Sequence, residues 1–168
     1  MTARTWADFE RLISAKGAPH HCWCTLYRFR NVNEMGKAEK RAGMERLVAA
    51  ETPIGVLAYD GDEPVGWCSV ASRTTYVKLE RSKTMPSVSD APTWTILCFF
   101  VPRVRRGQGI STVLLSGALA YAMASGAEVV EAYPFDTAQI SSTHRGHSSL
   151  YRAAGFQNEG KRWFRRLA

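Results

Sequence analysis

Residues 93–122 read TWTILCFFVPRVRRGQGISTVLLSGALAYA, and the architecture of the chain turns on them. The run 93–101 is almost unbroken apolar sequence between Pro92 and Pro102, the pattern of a central strand buried on both faces. Residues 110–125 set Ile110, Val113, Leu114, Gly117, Ala118 and Tyr121 on one side of a helix. Between them lies RRGQGIS, residues 105–111, with two glycines and a cluster of arginines. The first amides of a helix have no internal acceptor, and the aligned peptide dipoles add partial positive charge there. Glycine carries no Cβ to hold an anion off the backbone. The turn therefore predicts a seat for a phosphate or pyrophosphate, ringed by Arg103, Arg105 and Arg106.

The remaining elements are ordered outward from that turn. Residues 5–13, TWADFERLI, predict a helix that buries Trp6, Phe9 and Ile13, with Thr5 and Asp8 at capping-box spacing. Gly17 and Pro19 break it, and residues 17–30 continue as a short strand or an ordered loop. Residues 34–50 predict a second helix with a stripe of Met35, Ala38, Ala42 and Leu47; Gly36 and Gly43 weaken it and Pro53 ends it. Residues 54–70 form a hairpin about Asp60-Gly61-Asp62. The polar connection 72–92 has the length of a lid or specificity loop. EVVEAYPF, residues 128–135, is a strand, and SSLYRAAGF, residues 148–156, is a short helix closed by Gly155. Residues 156–168 end the chain as a strand or hairpin arm. The fold class is α/β: one domain over residues 1–168, with a mixed central sheet, one parallel crossover and flanking helices.

The seat can be narrowed. A P-loop requires a longer glycine spacing followed by Lys-Ser/Thr, and a dinucleotide fingerprint requires a third glycine near Thr112; both are missing. What remains is Arg106-x-x-Gly109-x-Ser111, preceded by CFFVPRVRRGQG. On these residues the chain resembles the GNAT superfamily of N-acetyltransferases, whose signature is Arg/Gln-x-x-Gly-x-Gly/Ala at the end of the fourth strand. SSLYRAAGF resembles that family's second motif, with Tyr151 four residues before Gly155-Phe156. The resemblance spans residues 54–160. Three departures stand out. Pro102 comes one place early, Ser111 replaces a Gly/Ala, and His144 replaces an asparagine common seven places before the tyrosine.

The resemblance implies a GNAT-like fold and acetyl-CoA as co-substrate. Arg106, Gly107, Gln108, Gly109, Ile110, Ser111 and Thr112 would cradle its pyrophosphate. Phe99, Phe100 and Val101 would offer a backbone N–H to the thioester carbonyl. Tyr151 would protonate the leaving sulfur. The acceptor would be a primary amine of a small molecule or peptide, acetylated by direct attack on the thioester. Some members use a glutamate base on the fourth strand, and residues 93–101 contain no acid. Glu131 on the next strand, with Tyr133 on its face, is the candidate base, beside His144 and His147. Trp23, Tyr76 and Trp94 are candidate substrate contacts, since the family shapes its acceptor pocket from such N-terminal and loop segments. Aromatic walls suit apolar or cationic amines. Cys98 lies in a greasy strand, where a thiol is ordinarily inert. The cluster His20, His21, Cys22 and Cys24 is too tight in sequence to surround one tetrahedral ion, so no metal site is assigned.

Composition bounds the partners. The net charge of +7 calls for an anion, and the phosphates of coenzyme A supply part of it. A basic tail, KRWFRRLA, keeps open a toxin-like acetyltransferase acting on aminoacyl-tRNA. A non-catalytic acyl-CoA-binding module and a plain nucleic-acid-binding domain also stay open. No apolar run reaches membrane-spanning length and the N-terminus lacks a signal-like stretch, so a cytoplasmic location with no membrane partner is expected. The four cysteines read as free thiols in a reducing compartment. Oligomeric state is open, a homodimer included.

Overall fold

The computed structural model describes residues 1–15, 17–18, 22–87, 90–134 and 144–167. In chain order its elements are α1 (Trp6–Ser14), α2 (Lys37–Ala49), β1 (Val56–Asp60), β2 (Glu63–Ser72), β3 (Thr93–Phe100), α3 (Ile110–Ala124), β4 (Val129–Ala132), α4 (Ser148–Ala153), β5 (Gln157–Glu159) and β6 (Arg162–Arg166). The strands form one sheet in the order β1-β2-β3-β4-β6-β5. Only β3 and β4 run parallel, joined through α3; every other pair is antiparallel. This is the mixed sheet with a single crossover that the residue pattern predicts.

The sheet is covered on both faces. On one side Val65, Cys68, Val70, Ile96, Phe99, Leu114, Leu115, Ala118 and Tyr151 pack together beneath α3 and α4. On the other, Phe9, Leu12, Ile13, Trp23, Met44, Val48, Trp67 and Phe100 pack beneath α1 and α2. A smaller cluster of Ala71, Tyr76, Leu79, Met85, Leu97 and Tyr133 fills the space under residues 73–85. A β-bulge interrupts β3: Ser69 opposes Cys98 while Val70 opposes Ile96, which leaves Leu97 as the extra residue. Ile96 and Phe99 therefore share the α3 side, where strict alternation would part them.

Several local expectations are corrected. Thr5 makes no side-chain cap on α1. Its hydroxyl instead accepts from the Thr2 amide in a preceding 3-10 turn, and Asp8 pairs with Arg11. The second helix starts later, because Glu39 reaches back to the Gly36 amide, and it buries Gly43, Met44 and Val48 rather than the expected stripe. Gly43 has a packing role: a Cβ there would meet Phe29 Cζ at 2.8 Å. On α3 the buried face is Leu114, Leu115, Ala118, Leu119 and Ala122, and Val113 is 63% exposed. The helix is apolar on nearly every side, so its pattern alone does not orient it. The connection 72–92 is no free lid among its described residues, because Tyr76, Leu79 and Met85 are buried in the core. The tail is a two-stranded hairpin, β5–β6, with β6 also paired to β4. Pro19, His20, His21 and Phe135 lie outside the described residues.

Candidate active site

β3 delivers the chain to the turn. After Phe100 come Val101, Pro102, a 3-10 turn at Arg103–Arg105, and then the glycines. Gly107 and Gly109 have φ of +77 and +75, and the place of a Cβ at either one is open space. Gly109 is the N-cap of α3, no side chain caps that end, and its first turn holds no acid. Helical bonding starts with the Thr112 and Val113 amides on the Gly109 carbonyl, at 2.9 and 3.2 Å. The Ile110 and Ser111 amides come before that ladder, facing a solvent-open corner. Gln108 and Thr112 are exposed at the same place, and Ile110 and Ser111 are partly so. The exposed Arg106 is held against the strand end by Nε donating to the Val101 carbonyl at 3.2 Å. Arg105 is not part of this ring. It reaches Asp60 and Glu63 on the β1–β2 hairpin.

β3 and β4 pair only from Thr93↔Val129 to Ile96↔Ala132. Beyond the bulge, β3 continues to Phe100, paired with β2 alone. The backbone of Phe99, Phe100 and Val101 thus lies along an edge of β3 that β4, ending at Ala132, does not reach, directly before the glycine turn. An open strand edge is a slot that can pair with an extended chain carrying amide groups, and an open glycine corner at a helix start can take an anion.

Tyr151 is 0% exposed, edge-on to Phe99 and Phe156, and its hydroxyl donates to the Arg145 carbonyl at 2.7 Å. Burial pushes this phenol well above its ordinary value, so it keeps its proton at neutral pH. The Arg145 guanidinium donates to the Tyr27 hydroxyl, and the Tyr27 carbonyl accepts from the Lys78 amide at 3.1 Å. Tyr151 is thereby linked to both loops that cover the other face of the sheet. His144 lies exposed beside Arg145; partial desolvation first, and the Arg145 charge second, lower its pKa. His147 stands at the N-cap of α4.

Glu131, the expected base, lies within a buried ion network. It is 0% exposed and accepts from Arg73, from Arg162 Nε at 2.9 Å and from Thr95 Oγ1 at 2.9 Å. A buried carboxylate shared by two guanidiniums is held in place as an anchor of the sheet. Arg73 also donates to the Leu79 and Met85 carbonyls and fastens the 72–92 connection to β4. The three aromatic candidates likewise sit in the core. Trp23 is 1% exposed and stacked on Trp6. Tyr76 is 1% exposed, lies under Arg28 and has its pKa pushed up to about 12 by burial. Trp94 packs edge-on to Tyr121 of α3, on the opposite face. A cavity of about 210 Å³ opens beside Tyr133, lined by Thr84, Pro86, Glu159, Lys161 and Arg162. Among the described residues no three His, Cys, Asp or Glu side chains are grouped to hold a metal. No described helix is long and apolar enough to cross a membrane.

Sequence reasoning missed Arg28, Arg73 and Arg145. All act through contacts far apart in the chain, and an arginine in a loop gives no sign of burial. The two glycines and Tyr151 were visible because their signal is local.

The family model of the Acetyltransferase (GNAT) family matches residues 20–156, and the chain belongs to this family of acyltransferases. No curated protein matches it in sequence. Among solved structures, a GNAT acetyltransferase from Brucella melitensis, in complex with acetyl-CoA, is 15% identical with a TM-score of 0.54, over 100% of this chain and 85% of that one. An aminoglycoside 6'-N-acetyltransferase from Acinetobacter haemolyticus is 16% identical with a TM-score of 0.56, over 96% and 90%. A ribosomal-protein-alanine N-acetyltransferase from Brucella melitensis is 15% identical with a TM-score of 0.58, over 97% and 96%. The shared fold is that of the mixed six-stranded sheet described above.

Proposed function

We propose that the chain is an acetyl-CoA-dependent N-acetyltransferase acting on a primary amine of a small molecule or peptide. One observation carries this reading. The strand that runs on past the end of its parallel neighbour after Ile96 leads into an open glycine turn and an uncapped, acid-free helix start. Bound acetyl-CoA supplies an acetyl group already activated as a thioester. The chain's residues do the rest. The turn from Arg106 to Thr112 holds the diphosphate, and the backbone at Phe99–Val101 offers an N–H to the carbonyl oxygen as charge develops there. Holding thioester and amine together supplies a large share of the rate. The Tyr151 hydroxyl turns from the Arg145 carbonyl to protonate the leaving sulfur. With Glu131 occupied, His144 is the candidate to take the amine proton, its lowered pKa keeping the imidazole neutral near pH 7. The cavity beside Tyr133 and Glu159 is the candidate acceptor site. The four free thiols support a reducing, cytoplasmic setting.

The experiment is calorimetric titration with acetyl-CoA, followed by an amine panel read by coenzyme A release, with Tyr151→Phe in parallel. Both proteins should bind acetyl-CoA, and the variant should turn over at least ~10-fold more slowly. No binding would overturn the reading, and binding without turnover on any amine would favour the acyl-CoA-binding module. A second reading, with aminoacyl-tRNA as acceptor, is favoured by one feature: a cavity of about 320 Å³ lined by Arg30, Val77, Lys78 and Arg81. It predicts activity that falls steeply with salt.

A further inference from the structure

The proposed chemistry leaves the cysteines unused. Cys22, Cys24, Cys68 and Cys98 are all free, and two of them meet. The sulfurs of Cys24 and Cys98 lie 3.6 Å apart although 74 residues separate them in the chain. Cys24 is 8% exposed and Cys98 half-buried. Cys98 stands on the part of β3 beyond the end of β4, opposite Ser69 of β2.

The surroundings of Cys24 suit an anionic sulfur. The Trp67 indole N–H, which can only donate, points at Cys24 Sγ at 3.2 Å. Arg28 is 4% exposed, and its Nη2 donates to the Ile54 carbonyl, the Ser69 hydroxyl and the Tyr76 hydroxyl, none of them charged. Its Nε and Nη1 are buried with no hydrogen-bond partner. A buried guanidinium with only neutral acceptors lacks its counter-charge, and a thiolate at Cys24 would supply it. The bond with Cys98 first, then the Trp67 bond and the Arg28 charge, hold the Cys24 thiol below its usual range, against burial. The same bond, and then burial, push Cys98 well above it, so of the two thiols Cys24 gives up its proton the more readily. Trp23 and Cys24 are both left-handed, at φ +51 and +54. Trp23 is locked against Trp6 and Phe9, so packing fixes the unusual turn that aims Cys24 inward.

We propose that Cys24 and Cys98 form an oxidisable pair that closes to a disulfide on reaction with a hydroperoxide. The Cys24 thiolate attacks one peroxide oxygen and the O–O bond breaks. Cys24 becomes a sulfenic acid, and the departing hydroxide takes a proton to become water. The Cys98 sulfur then attacks the Cys24 sulfur. An S–S bond forms, the S–O bond breaks, and hydroxide leaves as water with the Cys98 proton. Two thiols are oxidised by two electrons and one hydrogen peroxide is reduced to two waters. The bridge fastens the loop carrying Cys24 to β3 beside the acyl slot, so oxidised protein acetylates more slowly. That last consequence rests on the acetyltransferase reading, whereas the bond itself does not.

The test is titration of the purified full chain with hydrogen peroxide, followed by thiol counting, intact mass and a non-reducing peptide map. Expected are the loss of two thiols and two hydrogens, a linked Cys24–Cys98 peptide, and reversal by a dithiol reductant. Cys98→Ser should instead hold one added oxygen on Cys24, captured by a dicarbonyl probe for sulfenic acids. Cys22→Ser should still form the bridge. Four thiols persisting under peroxide, or a bridge through Cys22 or Cys68, would overturn the proposal. The wild-type map alone decides between these outcomes, so a variant that fails to fold does not block the test. Unchanged acetylation in a bridged protein would remove only the functional consequence.

Discussion

Glu131 is one carboxylate with three donors and no exposure, so its removal strands two guanidiniums in the interior. Glu131→Ala should destabilise the fold by about 3–5 kcal/mol, read from urea unfolding, because breaking a buried ionic network leaves charge uncompensated. The strand position of Glu131 was legible, whereas its partners, 58 and 31 residues away, were not. An acid on a strand gives the same signal in sequence whether it faces a substrate or an arginine. Tyr151 was legible for the opposite reason, since its spacing to Gly155-Phe156 is local. Tyr151→Phe should cost about 1 kcal/mol of stability through the lost bond to the Arg145 carbonyl, alongside the slower turnover.

At the scale of elements, the turn before α3 makes the clearest demand on its residues. Gly109 sits at φ +75, where a side chain costs about 1–2 kcal/mol. Gly109→Val should lower acetyl-CoA affinity by at least ~10-fold in calorimetry, because the new atoms occupy the corner proposed for the diphosphate. α2 offers a control away from the site. Gly43→Ala places a methyl 2.8 Å from the Phe29 ring and should cost about 1 kcal/mol of stability without altering cofactor affinity. Strand and helix existence was readable from period and punctuation. The buried face of α3 was not, because apolar residues surround that helix and only tertiary packing selects Leu114, Leu115 and Ala118. The 72–92 connection was misjudged because its anchors, Tyr76, Leu79 and Met85, are scattered through polar sequence.

For the whole molecule, the ionisable groups set a pH limit. Burial is the first cause in raising Tyr76 and Tyr133 to about 12 and Tyr151 well above 10. Their folded pKa values exceed the unfolded value of ~10, so the native state binds more protons above that pH. The tyrosine contribution to stability should be constant below pH ~10 and fall steadily as pH rises past it, in step with phenolate absorbance in a thermal melt series. The net charge of +7 also divides unevenly. Arg28, Arg73 and Arg162 are buried, so composition overstates the basic surface open to a polyanion. Finally, β3 runs on past the end of β4 at Ala132, so its residues after Ile96 have no neighbour on that edge. Solvent deuterium should therefore reach amides at residues 97–101 sooner than those at 93–96, and saturating coenzyme A should slow that exchange. A gap that the ligand completes as an extra strand would make the loaded protein the better-ordered one, its labelling pattern mapping the slot without any catalysis.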